Sequence, residues 1–251
     1  MAVLLTTSLM TLAHEFWQIV EIGEKLLCGY ALFWCVIAIH ELGHWFVGMA
    51  CGFKKLEFRA GGFSWNHELG WKLKWKEESP LSGGVKMTLR GANHSLRLRH
   101  LIYVLAGPIA NIATAFVVYP LAQQVGAIDE NAKLFAAMSL LLGIVNLLPF
   151  RRGKLRNDGM RILDTVFNTR EMVRLRFDAV VADSAPVIKE QLNARNWIGA
   201  KNLVEQLLLQ GQDVGDRDEK IKALQNVLEL AERGLRAERS VAKVNSDAIA
   251  S

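Results

Sequence analysis

The chain has few of the residues that small secreted domains use to stabilise themselves. It contains three cysteines and five prolines in 251 residues. The cysteines are odd in number and form no Cys-x-x-Cys pair, which argues against a disulfide framework and favours a packing role. No Lys or Arg precedes Lys25. A secretory signal begins with a basic region, so none is expected here.

Charge is also missing from long stretches of the chain. Residues 26–53 carry no Lys, Arg or Asp, residues 101–126 carry no charged side chain, and residues 132–150 carry only Lys133. A membrane span needs about 20 apolar residues to cross a hydrocarbon core about 30 Å thick. These stretches therefore predict three transmembrane helices.

The sequence predicts a mainly α, polytopic membrane protein with a transmembrane core and a charged helical tail. Residues 1–25 are expected to form an interfacial segment that lies at the membrane surface rather than spanning it. Residues 26–165 form the core, with a membrane-associated β-strand insertion at residues 54–92. Residues 166–251, which are densely charged, form a helical C-terminal domain. Its end, residues 245–251, is expected to be disordered.

The β insertion is predicted from alternation of apolar and polar residues. In residues 71–76, tryptophan and leucine alternate with lysine. In residues 85–90, apolar side chains alternate with lysine, threonine and arginine. We expect strands at residues 56–63 and 84–90. Tryptophans with interleaved lysines suit a sheet at the lipid headgroups, and a small soluble hairpin with a tryptophan face is the alternative.

The distribution of basic residues predicts the orientation in the membrane. Residues 54–100 are rich in Lys and Arg, whereas residues 127–131 carry only Asp129 and Glu130 as charges. The positive-inside rule then places residues 54–100 and the C-terminal domain in the cytoplasm of a multi-pass cell-membrane protein. The net charge of the chain is +5. Its basic residues lie beside apolar segments, which favours contact with anionic lipid over nucleic acid.

The first predicted span contains His40, Glu41 and His44 in the sequence HELGH. An ionisable group at mid-membrane costs about 2.5–3.5 kcal/mol on insertion scales. Histidines four residues apart lie on one helix face and can bind one zinc ion, while the glutamate beside the first histidine can activate water. A coincidental cluster would leave buried charge uncompensated, whereas a metal ion compensates it. We expect one Zn²⁺ per chain.

Catalytic zinc keeps three protein ligands, so a third ligand is needed. Asp158 is the best candidate because it follows Pro149, which ends the third predicted span. Asp129 and Glu130 lie at the opposite side of the membrane. The alternative is that Asp158 only caps the following helix, and Asp164 is then the next candidate.

Two amides at membrane depth are candidate catalytic residues. Asn111 lies in AGPIAN of the second span, and Asn146 lies near the end of the third. Such an amide can donate to the oxyanion of a tetrahedral intermediate or hold the substrate backbone. It can equally form a hydrogen bond between helices. Both interpretations remain open for both residues.

Four segments, in order, resemble those of the site-2 protease family of intramembrane zinc metalloproteases: HELGH, SPLSGGVKM, AGPIAN and NLLP…NDG. The resemblance implies a three-helix core in which His40, His44 and Asp158 hold zinc and Glu41 is the general base. It implies hydrolysis of peptide bonds within or next to transmembrane segments of substrate proteins.

The chain departs from the family pattern before the aspartate. The family has a shorter gap between its Asn-x-x-Pro and Asp-Gly, with leucine before the aspartate. Here FRRGKLR lengthens the gap and Asn157 precedes Asp158. The departure concerns the path of the loop more than the ligand.

The expected partners are a membrane-protein substrate, the lipid bilayer and a regulatory protein at the C-terminal helices; nucleic acid is not expected. An exposed strand edge can pair with an unwound substrate segment. Two other functions fit the same residues: a catalytically idle membrane adaptor of this fold, and a metal-binding membrane sensor. An adaptor binds no metal, and a sensor binds metal without cleaving.

Overall fold

The computed structural model describes residues 2–60, 63–66, 70–73, 83–91, 95–124, 130–152, 155–214 and 219–250. It is mainly helical with a small antiparallel sheet. The helices are α1 (Ala2–Ala50), α2 (Leu96–Gln124), α3 (Glu130–Leu147), α4 (Asp158–Phe167), α5 (Thr169–Asn193), α6 (Trp197–Gln210) and α7 (Glu219–Ala250). The strands are β1 (Lys54–Ala60), β2 (Phe63–Asn66), β3 (Gly70–Leu73), β4 (Gly83–Thr88), β5 (Arg151–Arg152) and β6 (Leu155–Arg156).

Three helices in the described part of the chain are long and apolar enough to cross a membrane. They are Glu15–Ala50 within α1, Leu96–Gln124 and Glu130–Leu147, and they correspond to the predicted spans. The third helix ends two residues before Pro149, because proline disfavours helical backbone at the residue before it. The prediction of three apolar helices is confirmed.

The boundary predicted at residue 25 is not a helix end. α1 runs without a break from Ala2 to Ala50. No proline occurs before Pro80, so no residue in this stretch forces the backbone out of the helix. Glu21 and Lys25 form a salt bridge of 2.7 Å across one turn at this boundary. The interfacial position of residues 1–25 stays a prediction.

α1 ends in a hydrogen-bonded reversal at Gly52. This residue has a φ of +80°, which suits glycine because it has no Cβ. Gly52 N donates to Met49 O and Phe53 N donates to Gly48 O, at 2.9 and 3.0 Å. These are the two bonds of a Schellman motif.

The chain divides into two compact units. The first contains residues Met1–Val47, Leu56–Lys86 and Tyr103–Met160. Within it, the helices approach one another at glycines. A Cβ added at Gly43 of α1 would lie 2.6 Å from the backbone oxygen of Ala106 in α2. Small residues allow this close approach of membrane helices.

The sheet has the strand order β3-β2-β1-β4. β1 and β2 are antiparallel, with Phe58 opposite Trp65, and β2 and β3 pair Trp65 with Trp71. Trp45 of α1 packs edge to face on Phe58 and Trp65, with ring centroids 5.3 and 5.0 Å away. An apolar sheet face therefore covers the helix, as the alternating pattern predicts. Trp75 lies outside the described residues.

The predicted strand bounds differ slightly from the observed ones. The strand expected at residues 56–63 is β1 at Lys54–Ala60, and Phe63 begins β2 instead. The strand expected at residues 84–90 is β4, Gly83–Thr88. Both predicted strands are present within three residues of their expected ends.

The second unit contains Gly48–Lys55, Met87–Ile102 and Arg161–Ser251. Its α5, α6 and α7 enclose an apolar core of buried residues: Phe177, Ile188, Val204, Leu207, Ile221 and Leu224. Residues 245–250, expected to be disordered, continue α7 to Ala250. The disorder expected for residues 245–251 stays a prediction.

The close approach at Gly43 predicts a specific loss of stability. Gly43→Ala would push a methyl group against the α2 backbone, and overpacking of this kind costs about 1–3 kcal/mol. Gly29→Ala in the same helix meets nothing within 4 Å and is the matched control. We expect Gly43→Ala, and not Gly29→Ala, to lower the unfolding temperature in detergent. Equal stability of the two variants would contradict this packing.

Candidate metal centre

The centre is built on two buried histidines of α1. His40 and His44 lie one turn apart, and their Nε2 atoms are 3.2 Å from each other. The rings meet edge to face with centroids 4.8 Å apart. The four-residue spacing predicted by HELGH therefore places both rings on one face.

A backbone carbonyl of α2 fixes the tautomer of His44. Its Nδ1 lies 2.8 Å from Tyr103 O. A carbonyl oxygen only accepts, so Nδ1 must carry the hydrogen. In the neutral ring Nε2 then has the free lone pair. His44 Nε2 is the nitrogen that can bind a metal.

Asp158 supplies a carboxylate to the two histidines. Its Oδ2 lies 2.9 Å from His40 Nε2 and 3.2 Å from His44 Nε2. The aspartate is 7% exposed. The ligand atoms of the three residues all lie within 4.8 Å of one another, as a group that could hold a metal ion. Asp164, the other candidate, is not in this group.

The Asn157 side chain sets the position of Asp158. Its Oδ1 accepts from the backbone N–H of Met160, three residues further along the chain, at 3.1 Å. Asn157 is therefore the N-cap of α4. Oδ1 also accepts from Phe150 N at 2.9 Å. Its Nδ2 faces carbonyl oxygens at the end of α3, those of Leu148 (2.6 Å), Val145 (3.3 Å) and Asn146 (3.4 Å). The capping role falls to Asn157, and the Asp158 carboxylate is left to the histidines.

The chemistry of the three groups fits a zinc ion. Tetrahedral zinc with bonds of about 2.0–2.1 Å places neighbouring ligand atoms about 3.3 Å apart. The distances between His40 Nε2, His44 Nε2 and Asp158 Oδ2 are 2.9–3.2 Å. With a neutral His44, the last two atoms are both acceptors, and two acceptors this close in a buried place repel unless a proton or a metal ion lies between them. The three ligand atoms could therefore hold a metal ion.

Glycines allow the backbone to approach the centre from two sides. A Cβ at Gly107 of α2 would overlap His44 Nε2 and lie 2.8 Å from His40 Nε2. A Cβ at Gly83, the first residue of β4, would lie 2.6 Å from Glu41 Oε1. Any other residue at these positions displaces the side chains of the centre.

Glu41 lies between the two histidines in the sequence and is buried in the structure. Its side chain faces Gly83 at the beginning of β4. β4 is tied to α2 by the Tyr103 hydroxyl, which donates to Val85 O at 3.2 Å. Tyr103 thus holds His44 through its carbonyl and β4 through its side chain. Tyr103 therefore links the metal centre to an edge strand within the first unit.

The structure separates the two predicted amides. Asn111 is fully buried, with Nδ2 at 3.3 Å from His40 Nδ1. Its backbone oxygen accepts from Ser139 Oγ of α3 at 3.0 Å. Asn146 is half-buried, and within the described residues only its backbone takes part in the hydrogen bonds of this region, with Asn157. Asn111 contacts His40, and Asn146 has no hydrogen bond to either histidine among the described contacts.

Two features of the centre have no counterpart in the sequence prediction. The carbonyl of Tyr103 gives no signal, because every residue has a backbone carbonyl. Asn157 could have been identified, since asparagine is a preferred N-cap residue and Gly159 follows inside the first turn. A Cβ at Gly159 would overlap Leu147 O, so this glycine lets α4 begin directly against the end of α3.

The comparison with protein families identifies one match. The model of peptidase family M50, the site-2 protease family, matches residues 29–132. The matched segment includes HELGH and Asn111, and it ends before Asn146 and Asp158. No curated protein matches the chain. The resemblance in the sequence is confirmed for the matched residues.

Substitutions of two neighbouring residues should change different properties, one the metal affinity and the other the stability. Asp158→Asn removes the charge that zinc favours but preserves the shape, so we expect normal folding and a large loss of metal affinity. Asn157→Ala removes the cap and should lower stability by about 0.5–2 kcal/mol. Zinc content after chelator competition and thermal unfolding in detergent measure the two effects. Full zinc occupancy in Asp158→Asn would move the ligand elsewhere, with Asp164 the next residue to test.

Proposed function

We propose that this protein, whose residues 29–132 match peptidase family M50, is an intramembrane zinc metalloprotease. It hydrolyses peptide bonds within or next to transmembrane segments of substrate proteins. The observation that supports this most is the buried convergence of His40, His44 and Asp158 beside Glu41, on a helix apolar enough to cross a membrane. The family is zinc-dependent in general.

We assign one Zn²⁺ per chain to His40, His44 and Asp158. Zinc bound there supplies Lewis-acid chemistry, since it lowers the pKa of water to about 7 and polarises a carbonyl. Three protein ligands are the number that catalytic zinc sites use, whereas structural sites use four. The donor set therefore favours catalysis over a structural metal.

Glu41 is the general base in this proposal. Its carboxylate takes a proton from the water that attacks the peptide carbonyl. It then passes that proton to the amine nitrogen as the C–N bond breaks, and the products are a carboxylic acid and an amine. Glu41 is buried and therefore shielded from bulk water. It directly follows His40 on α1, which places it near the proposed zinc ligands.

The substrate must be extended at the cleavage site, because a helix engages its peptide carbonyls in its own hydrogen bonds. β4 lies at the end of the strand order β3-β2-β1-β4, so it offers an edge to which a further strand can pair. Its first residue, Gly83, lies against Glu41. A substrate strand paired with β4 would reach the general base at this glycine.

A substitution of Glu41 separates the protease from the adaptor and the sensor. Glu41→Gln cannot take a proton, so it should retain zinc and lose turnover. Glu24→Gln, an exposed position in the same helix, is the matched control and should behave as wild type. Zinc content of the purified proteins and the membrane proteome of cells expressing each variant are the measurements.

The outcomes of this comparison differ for each function. Wild-type protein without zinc indicates an adaptor. Zinc binding with identical membrane proteomes for wild type and Glu41→Gln indicates a sensor. Appreciable proteolysis by Glu41→Gln would overturn the role of Glu41 as the base.

The protein is further proposed to be a multi-pass membrane protein with its C-terminal domain in the cytoplasm. The basic residues of 54–100, between the first two apolar helices, support this orientation. Helices α5, α6 and α7 form their own apolar core and expose charged faces that suit a regulatory protein partner. Asn146 remains a proposed substrate-contacting residue, without a hydrogen bond to the histidines.

Cysteine labelling tests the orientation. In a background without Cys28, Cys35 and Cys51, Ile128→Cys should react with an impermeant reagent added outside. Ala237→Cys, exposed in α7, should react only after permeabilisation. Labelling of Ala237→Cys in intact cells would reverse the orientation.

A further inference from the structure

The two histidines differ in what faces their Nδ1 atoms. Tyr103 O can only accept, so it leaves His44 Nε2 with a lone pair, as a metal ligand must have. His40 Nδ1 faces the side-chain amide of Asn111 at 3.3 Å. An amide offers either a donor or an acceptor to the same neighbour, depending on how it is turned about its last bond. Asn111 can therefore select either tautomer of His40.

Only one orientation of the amide is compatible with metal binding by His40. If Nδ2 donates to Nδ1, the ring hydrogen is on Nε2, the atom that lies beside His44 Nε2 and Asp158 Oδ2. If the amide oxygen faces Nδ1, the ring hydrogen is on Nδ1 and the Nε2 lone pair is directed to the cluster. Asn111 Oδ1 is buried and has no hydrogen-bond partner among the described residues. The only hydrogen-bond contact of the amide among the described residues is therefore the one with His40 Nδ1, and the tautomer of His40 decides between the two orientations.

We infer that Asn111 is a positioning residue, whose side-chain oxygen accepts a hydrogen bond from His40 Nδ1–H and so directs the Nε2 lone pair to the metal. The inference rests on the proposed function, because it takes His40 as a zinc ligand. Metal-bound histidines usually donate their other ring N–H to a carboxylate or carbonyl oxygen, which fixes the ring and raises its basicity. Tyr103 O does this for His44, and the Asn111 amide oxygen does it for His40.

The packing of Asn111 suits a fixed amide. The residue is 0% exposed. Ser139 Oγ of α3 donates to its backbone oxygen, and this bond attaches the same turn of α2 to a second helix. The backbone at Asn111 is therefore held by α3, whereas the orientation of the side-chain amide is set by its contact with His40 Nδ1.

Three variants test the inference through metal affinity. Asn111→Leu has a similar size but cannot accept, and loss of such a partner lowers metal affinity about 10–100-fold. Asn111→Asp accepts but cannot donate, and should bind zinc at least as tightly as wild type. Ser139→Ala removes a buried hydrogen bond at the same turn without touching His40, and should keep wild-type affinity. Chelator competition gives the affinities, and absorption of the Co²⁺-substituted proteins reports the ligand arrangement.

The order of affinities decides the result. Loss in Asn111→Leu alone, with an altered Co²⁺ spectrum, supports the positioning role. Equal affinity in Asn111→Leu and wild type overturns it, since Asn111 then only joins helices. A loss in Asn111→Asp overturns it too, because the amide would then have to donate; this variant decides the question if Asn111→Leu does not fold.

The wild-type protein separates this inference from the proposed function. Wild type that binds zinc but cleaves nothing contradicts the protease, while the affinity order still supports Asn111 as the positioning residue. Wild type that binds no zinc overturns both. Wild type that binds zinc and cleaves, together with full affinity in Asn111→Leu, overturns the role of Asn111 alone.

Discussion

The ligand atoms of His40, His44 and Asp158 converge within the first unit as a buried group that could hold a metal ion. His44 Nε2 and Asp158 Oδ2 lie 3.2 Å apart, and both residues are buried. In a membrane core, the free-energy cost of such a cluster is higher than on a protein surface. The surrounding residues are arranged to keep these atoms together in spite of that cost.

The convergence depends on backbone as much as on side chains. Tyr103 O holds one ring, and the turn of α2 at Gly107 leaves no room for a Cβ beside either histidine. Gly83 brings β4 to Glu41 in the same way. Because the glycines lie on regular helices and a strand, the geometry of the centre is set by how whole elements pack and not by flexible loops.

The parts of the centre that are predictable from the sequence are those set by local geometry. The spacing of His40 and His44 places them on one face of any helix, and proline after the third span fixes where the chain leaves it. The choice of Asp158 over Asp164 followed from position alone, and the structure brings Asp158 to the histidines. The predicted bounds of the apolar helices rest on composition, which shows where charged residues begin but not where a helix ends. For this reason the first span is predicted to begin at residue 26, whereas α1 already begins at Ala2.

Contacts between distant segments were not predictable. Which of two similar amides meets a histidine depends on the rotation of α2 and α3, and neither rotation is readable from periodicity in helices that are apolar on all sides. Asn111 and Asn146 were therefore equivalent in sequence, whereas the structure places only Asn111 at 3.3 Å from His40. The same reasoning applies to Tyr103, whose carbonyl and hydroxyl act on two different elements.

The lengthened gap before Asp158 is taken up by a short hairpin. Arg151 pairs with Arg156 in antiparallel register, and at its base the Asn157 and Phe150 backbone and side-chain groups bond to each other. Asp158 therefore directly follows the hydrogen-bonded pair of Phe150 and Asn157. The hairpin residues beyond this pair do not determine where Asp158 lies. A chain of this kind can gain or lose residues between positions 151 and 156 during evolution without rebuilding its metal centre. The same segment is a suitable place to insert an epitope or a spectroscopic probe into an otherwise crowded membrane domain.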